Sequence, residues 1–276
     1  MTHLPSAVTA RTLDVPGAHL YYELRGAGPL VVLAGAPMDA AAFAPLADLL
    51  AVDHTVLTTD PRGHQGSTLK DAEADSTPEL RADDLVRLIA HVDAGPAVVF
   101  GSSGGAVTAL ALARSRPDLV TTAIAHEPPI NALIADRDEH RAATDDLVAT
   151  YARGDVLGAW RKFFAAANIA MPEPVLEQMF GPERDPRQLA SERYWFAHEI
   201  RGTTTWEPDI RALRHASTRL VIGIGAESAG QFCDRTSRAL AAALDLTPTL
   251  FPGGHTGFVD DPGAFADRLR EIIDKS

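Results

Sequence analysis

The sequence runs to 276 residues, 46% hydrophobic and 22% charged, enough for a globular chain with a full core. A formal net charge of −12 argues against nucleic-acid or anionic-membrane partners. A single cysteine, Cys233, excludes a disulfide framework or a thiolate metal cluster and reads as a small helix-packing residue. No apolar run reaches the length of a membrane span, and Met1–Ala10 has no long apolar core. A cytoplasmic chain without a leader is therefore expected.

Thr9 to Asp14 and Ala18 to Arg25 alternate apolar and polar residues around Pro16-Gly17, the pattern of an antiparallel hairpin. Leu30 to Leu33 is wholly apolar, as expected of a strand covered on both faces. A helix over Ala41 to Ala51 and a strand over His54 to Thr59 follow. The turn-rich loop Asp60-Pro61-Arg62-Gly63-His64-Gln65-Gly66-Ser67 closes that strand. Pro78 to Val92 carries one apolar stripe and predicts an amphipathic helix. Ala97 to Phe100 and Val120 to Ala125 predict two more strands, with a helix between them. Strands alternating with helices imply a parallel sheet covered on both faces.

That rhythm breaks from Pro128 to about Arg214, where no strand is convincing and the aromatics gather, Trp160, Trp195 and Phe196 among them. Packing explains such residues, and so does a lid over an apolar pocket. Alternation resumes with Arg219 to Gly225, Gln231 to Leu244, Leu246 to Phe251 and a last helix from Asp261 to Ile273. The prediction is an α/β chain with a mostly parallel, doubly wound sheet of about eight strands and a helical insertion after the sixth. Residues 1–129 and 215–276 form the core, and residues 130–214 form the cap.

Gly101-Ser102-Ser103-Gly104-Gly105 stands between the strand and the helix. A Gly-x-Ser-x-Gly turn there lifts one hydroxyl, that of Ser103, above the sheet end. Acyl transfer also needs a base and a carboxylate behind it. Of the ten histidines, His255 sits after the last strand in the glycine-rich loop Gly253-Gly254-His255 and is the candidate base. The oxyanion hole needs two backbone donors. Gly104 offers one, and Ala36, in the loop Ala34-Gly35-Ala36-Pro37, offers the other, since Pro37 has no N–H.

Taken together, Gly35-Ala36-Pro37, the Asp60–Ser67 loop, the Gly101–Gly105 elbow and Gly253-Gly254-His255 resemble the α/β-hydrolase fold enzymes of the capped, esterase-like branch. They occur in that family's order and cover nearly all the chain outside the helical block. The resemblance implies that the block is a cap, and that nucleophile, acid and histidine follow in that order. The frequent His-Gly of the oxyanion loop is replaced by Ala34-Gly35. The family's usual acid position, three residues past Gly225, holds Ser228 instead.

Two carboxylates compete for the acid. Glu227 is adjacent to the usual position. Glu127 ends the preceding strand, an arrangement that resembles some haloalkane dehalogenases, and Pro128 is expected to keep its backbone extended. Dehalogenation itself is disfavoured, because its nucleophile is a carboxylate and this elbow offers serine. Arg62 is expected to pair internally, and His64 and His126 to line the pocket at most.

The expected activity is hydrolysis of an ester, thioester or lactone of a small-to-medium apolar substrate. A cofactor-free haloperoxidase, perhydrolase or lyase, and a non-catalytic ligand-binding protein, are the alternatives. No cofactor is called for, and no His, Asp and Glu set has metal-ligand spacing. A homodimer is the protein partnership considered.

Overall fold

The computed structural model describes residues 7–275. Part of Met1–Ala10, read as leader-free, lies outside the described residues. Nine strands form one sheet: β1 (Thr9–Val15), β2 (Ala18–Arg25), β3 (Leu30–Ala34), β4 (Thr55–Thr59), β5 (Thr68–Leu69), β6 (Ala97–Ser102), β7 (Val120–His126), β8 (Arg219–Gly225) and β9 (Thr249–Phe251). Their order is β1-β2-β4-β3-β6-β7-β8-β9, with β5 beside β2. Pairings β1·β2, β2·β4 and β2·β5 are antiparallel, and the others are parallel. The sheet therefore has one strand beyond the eight expected. Thr68–Leu69 is too short to show a period, and it pairs only because the Asp60–Ser67 loop returns the chain to β2. With it counted, the helical stretch follows the seventh strand.

Helices α1 (Ala40–Leu50), α2 (Pro78–Val92) and α3 (Gly104–Ser115) fill the first crossovers. Between β7 and β8 stand α4 (Arg137–Ala152), α5 (Val156–Ala167), α6 (Glu173–Phe180), α7 (Pro186–Tyr194), α8 (Ile200–Thr204) and α9 (Ile210–His215). A wide π turn, Trp195–Glu199, joins α7 to α8. The last helices are α10 (Phe232–Leu244), α11 (Gly257–Asp260) and α12 (Pro262–Ile273).

Alternation along the strands splits the core in two. In β3, Val31 and Leu33 face the layer built with α1 and α12, while Val32 faces the layer built with α2, α3 and α10. Phe43, Phe100, Phe258 and Phe265 fill the first layer and are fully buried. Each such side chain contributes on the order of 2–3 kcal/mol of transfer free energy.

The helical block has a core of its own. Trp160 stacks on Phe180 at 4.0 Å and on Trp195 at 5.4 Å, with Leu147, Leu176, Phe196 and Ile200 around them. Most of its aromatics pack within the block, whereas Trp206 belongs to the core between the sheet and α2, α3 and α10. The 60–81 segment ties the block to the sheet. His64 Nε2–H donates to Glu199 Oε2 at 3.0 Å, the Gln65 N–H donates to Ser191 Oγ, and the Tyr194 hydroxyl donates to the Ala74 carbonyl. Arg81 reaches Thr203 Oγ1 at 2.9 Å and lies 3.7 Å from Glu199.

Candidate active site

The elbow forms because strand β6 must turn into α3 within one residue. Ser103 takes that turn at φ 56°, ψ −122°, a conformation few side chains adopt. A methyl group at Gly101 would overlap the Gly105 carbonyl, and one at Gly105 the Ala34 carbonyl, so the flanking glycines are required by space. Ser103 is half-buried, whereas Ser102 is fully buried and hydrogen-bonds His126 Nδ1 at 3.2 Å. A methyl group at Gly104 would overlap the Ala36 carbonyl, so the two proposed donor residues stand against each other. Among the described residues, neither the Ala36 nor the Gly104 N–H is paired with a carbonyl.

His255 and Glu127 meet. His255 Nδ1–H donates to Glu127 Oε2 at 2.6 Å, and the Gly225 N–H donates to Glu127 Oε1 at 2.8 Å. Glu127 is fully buried, and its own N–H donates to the Gly223 carbonyl. These three bonds hold it at φ 53°. The extended backbone expected from Pro128 is therefore wrong: the preference a proline imposes yields to bonds that fix both ends of the residue. Glu227 is exposed, with only its backbone engaged, to Gly253. No hydrogen bond joins Ser103 to His255 among the described residues.

Electrostatics follow from burial and these partners. Burial alone would raise the Glu127 carboxyl, but His255, His126 and the Ser228 hydroxyl bring it down to about 2. Burial opposes charge on His255, yet the Cys233 sulfur and the Glu127 carboxylate outweigh it and raise the ring to about 10. Burial, with His255 nearby, lowers His126 to about 4 against the pull of Glu127.

The remaining candidates fall outside this centre. Arg62 makes a bidentate pair with Asp84 at 2.6 and 2.7 Å. His64 is buried against Glu199, and His126 against Ser102, so both serve the scaffold. Cys233, read as a small helix-packing residue, stands in the first turn of α10 close to the Glu127–His255 pair. Its sulfur, one Glu127 oxygen and one His255 nitrogen all lie within 4.8 Å of one another. Spacing along the chain cannot show this, because α10 brings the thiol in from a separate element.

The alpha/beta hydrolase family matches residues 30–268. A Bacillus subtilis (strain 168) protein described as uncharacterized hydrolase YraK is 33% identical over 271 residues, 96% of each chain. The zearalenone hydrolase of Bionectria ochroleuca is 27% identical over 97% of this chain and 98% of its own. Among solved structures, an esterase from Exiguobacterium antarcticum superposes with a TM-score of 0.71 at 19% identity, covering 94% of this chain and 97% of that one. At that identity the superposition speaks to the fold alone. No helix among the described residues is long and apolar enough to cross a membrane. The match along most of the length, with the elbow, the sheet order and a near full-length hydrolase relative, places this chain in the alpha/beta hydrolase family.

Proposed function

We propose that the chain is a serine hydrolase that cleaves an ester, thioester or lactone bond in a small-to-medium apolar substrate. Ser103 Oγ attacks the carbonyl carbon as His255 takes its proton. Glu127 fixes the ring and balances the imidazolium. The Ala36 and Gly104 N–H groups receive the negative charge that develops on oxygen. His255 then protonates the leaving group, leaving an acyl group on Ser103. Water, deprotonated by His255, releases it. The Ser103–His255 bond closes when substrate binds, since unliganded sites commonly hold such bonds long.

The observation that carries this reading is the 2.6 Å bond from His255 to a fully buried Glu127 whose second oxygen is also bonded. A carboxylate so held orients the imidazole and balances its charge. Residues 130–214 act as a lid. Their contacts with the Asp60–Ser67 loop, at the carboxyl end of β4, support this. The hydrolase names of two relatives matched along nearly their whole length favour hydrolysis over other chemistry at the same site.

A fluorophosphonate probe tests the nucleophile. It should label the native protein once, and Ser103→Ala should remain unlabelled. Turnover of nitrophenyl esters of graded acyl length then sets the size of the pocket. Absence of labelling in folded native protein at neutral and alkaline pH would sink the reading.

A further inference from the structure

Three donors of different chemistry converge beside the elbow: a carboxylate at the end of β7, a thiol in the first turn of α10, and an imidazole in the loop after β9. Among the described residues this is the one group of three or more such side chains whose ligand atoms all lie within 4.8 Å of one another. The convergence is held by structure outside the group. Thr236 Oγ1 donates to the Pro128 carbonyl at 2.6 Å, tying the start of α10 to the residue that follows Glu127. The Gln231 N–H donates to the Ser228 carbonyl and fixes the turn before the helix. Glu127 is fully buried, while Cys233 and His255 are half-buried.

We propose that Glu127, Cys233 and His255 form an inhibitory site for a borderline-soft divalent cation of the zinc class. Thiolate, imidazole and carboxylate are the donor set such ions take, with bonds of about 2.0–2.3 Å and a fourth position left to water. Tetrahedral geometry places ligand atoms roughly 3.3–3.8 Å apart. The widest separation, up to 4.8 Å, therefore closes by about an ångström, while the 2.6 Å Glu127–His255 pair opens by a similar amount as its hydrogen bond gives way to the ion. Calcium and magnesium, which take oxygen ligands, do not fit this set. On binding, the Cys233 sulfur passes its proton to solvent and bonds the metal, and the Nδ1 proton that His255 donated to Glu127 leaves that nitrogen, so the bound ring is neutral with its hydrogen on Nε2. A neutral imidazole has one lone pair, and once that pair is on the ion His255 cannot accept the Ser103 proton. Filling the site therefore stops the hydrolase without touching Ser103. This loss of activity rests on the serine-hydrolase reading above, whereas the binding itself does not.

The test uses the whole protein and two cations. Cadmium titrated into the native chain should produce the ultraviolet band of a cadmium–thiolate bond, saturating at one ion per chain. Cys233→Ala and Cys233→Ser should lack the band. Zinc should suppress both ester turnover and fluorophosphonate labelling, and a chelator should restore them. Against its own metal-free rate, each Cys233 variant should need at least about tenfold more zinc for the same inhibition. His255→Gln should weaken the cadmium band's affinity by a comparable factor. The proposal is overturned if cadmium gives no band at one equivalent, if the band is indifferent to His255→Gln, or if zinc inhibits the Cys233 variants as well as the native chain. Failure of the metal-free native chain to label would instead remove the serine-hydrolase reading, with the cadmium titration still deciding the metal site.

Discussion

Glu127 and His255 lie 128 residues apart in sequence and meet across a 2.6 Å hydrogen bond. Glu127, not Glu227, is the carboxylate bonded to the ring, and on the proposed mechanism it orients the ring. Glu127→Gln should lower kcat by about a thousand- to ten-thousand-fold with the fold intact, because an amide favours the wrong imidazole tautomer. Glu227→Gln should leave kcat within about twofold, as an exposed residue off the site. Steady-state kinetics of the two variants, with circular dichroism to confirm folding, separates them. Equal losses in both would refute the assignment.

The elbow has no room for a side chain at Gly105, where a methyl group would meet the Ala34 carbonyl of the neighbouring strand. Gly105→Ala should therefore cost about 1–3 kcal/mol of stability through overpacking. It should also slow fluorophosphonate labelling, because the helix and Ser103 must shift together. Urea denaturation and labelling rates measure the two effects. Native-like values for both would show that the backbone relaxes freely there.

Two bidentate Arg–Asp pairs differ in burial, and so should their worth. Arg62 and Asp84 are 6% and 7% exposed and share a bidentate contact, yet burial still pushes Asp84 above its ordinary value. Asp84→Ala leaves a buried guanidinium unpaired and should cost about 3–5 kcal/mol. Replacing both residues by Met and Leu should recover most of that loss. Arg116–Asp118 has the same bidentate geometry on the surface, and Asp118→Ala should leave the urea midpoint unchanged.

Glu199 gives the fold a dependence on acid. Burial alone would raise its carboxyl, but Arg81 and His64 outweigh burial and lower it below 4.5. A carboxyl lowered in the folded state binds fewer protons there than in the unfolded chain. Its contribution is present above about 4.5 and is lost as pH falls through the folded value. Stability measured from pH 7 down to pH 3 should fall along this limb, and Glu199→Gln should be less stable at neutrality with a shallower acid limb. An unchanged limb in the variant would assign the acid sensitivity elsewhere.

Apolar runs and turn residues made most strands legible. Leu30 to Leu33 could only be buried, and Gly-x-Ser-x-Gly after such a run could only be a sharp turn. What stayed hidden depended on distant contacts. Thr68–Leu69 becomes a strand because β2 is there to pair with it. The π turn at Trp195–Glu199 places Glu199 against His64 and Arg81, and no local propensity encodes it. Both candidate acids could be named from position, but the choice between them needed the Gly225 N–H and the His255 ring in space. Cys233 looked like packing because its approach to His255 is set by how α10 docks on Pro128.

The sheet order has a bearing on how the molecule is made. Ala36, Ser103, Gly104 and Glu127 all precede residue 130, so on the proposed reading both oxyanion donors, the serine and its carboxylate are translated before the helical block begins. The imidazole alone comes after it, beyond β9. Domains fold from the amino end as they are made, so the growing chain carries a shaped but unarmed centre until its last strand docks. Ribosome-arrested chains ending before β9 should accordingly resist the fluorophosphonate, and reactivity should appear only when the loop bearing His255 has emerged. On the proposed mechanism the delay spares Ser103 from acylation during synthesis, and it comes from topology with no added inhibitor.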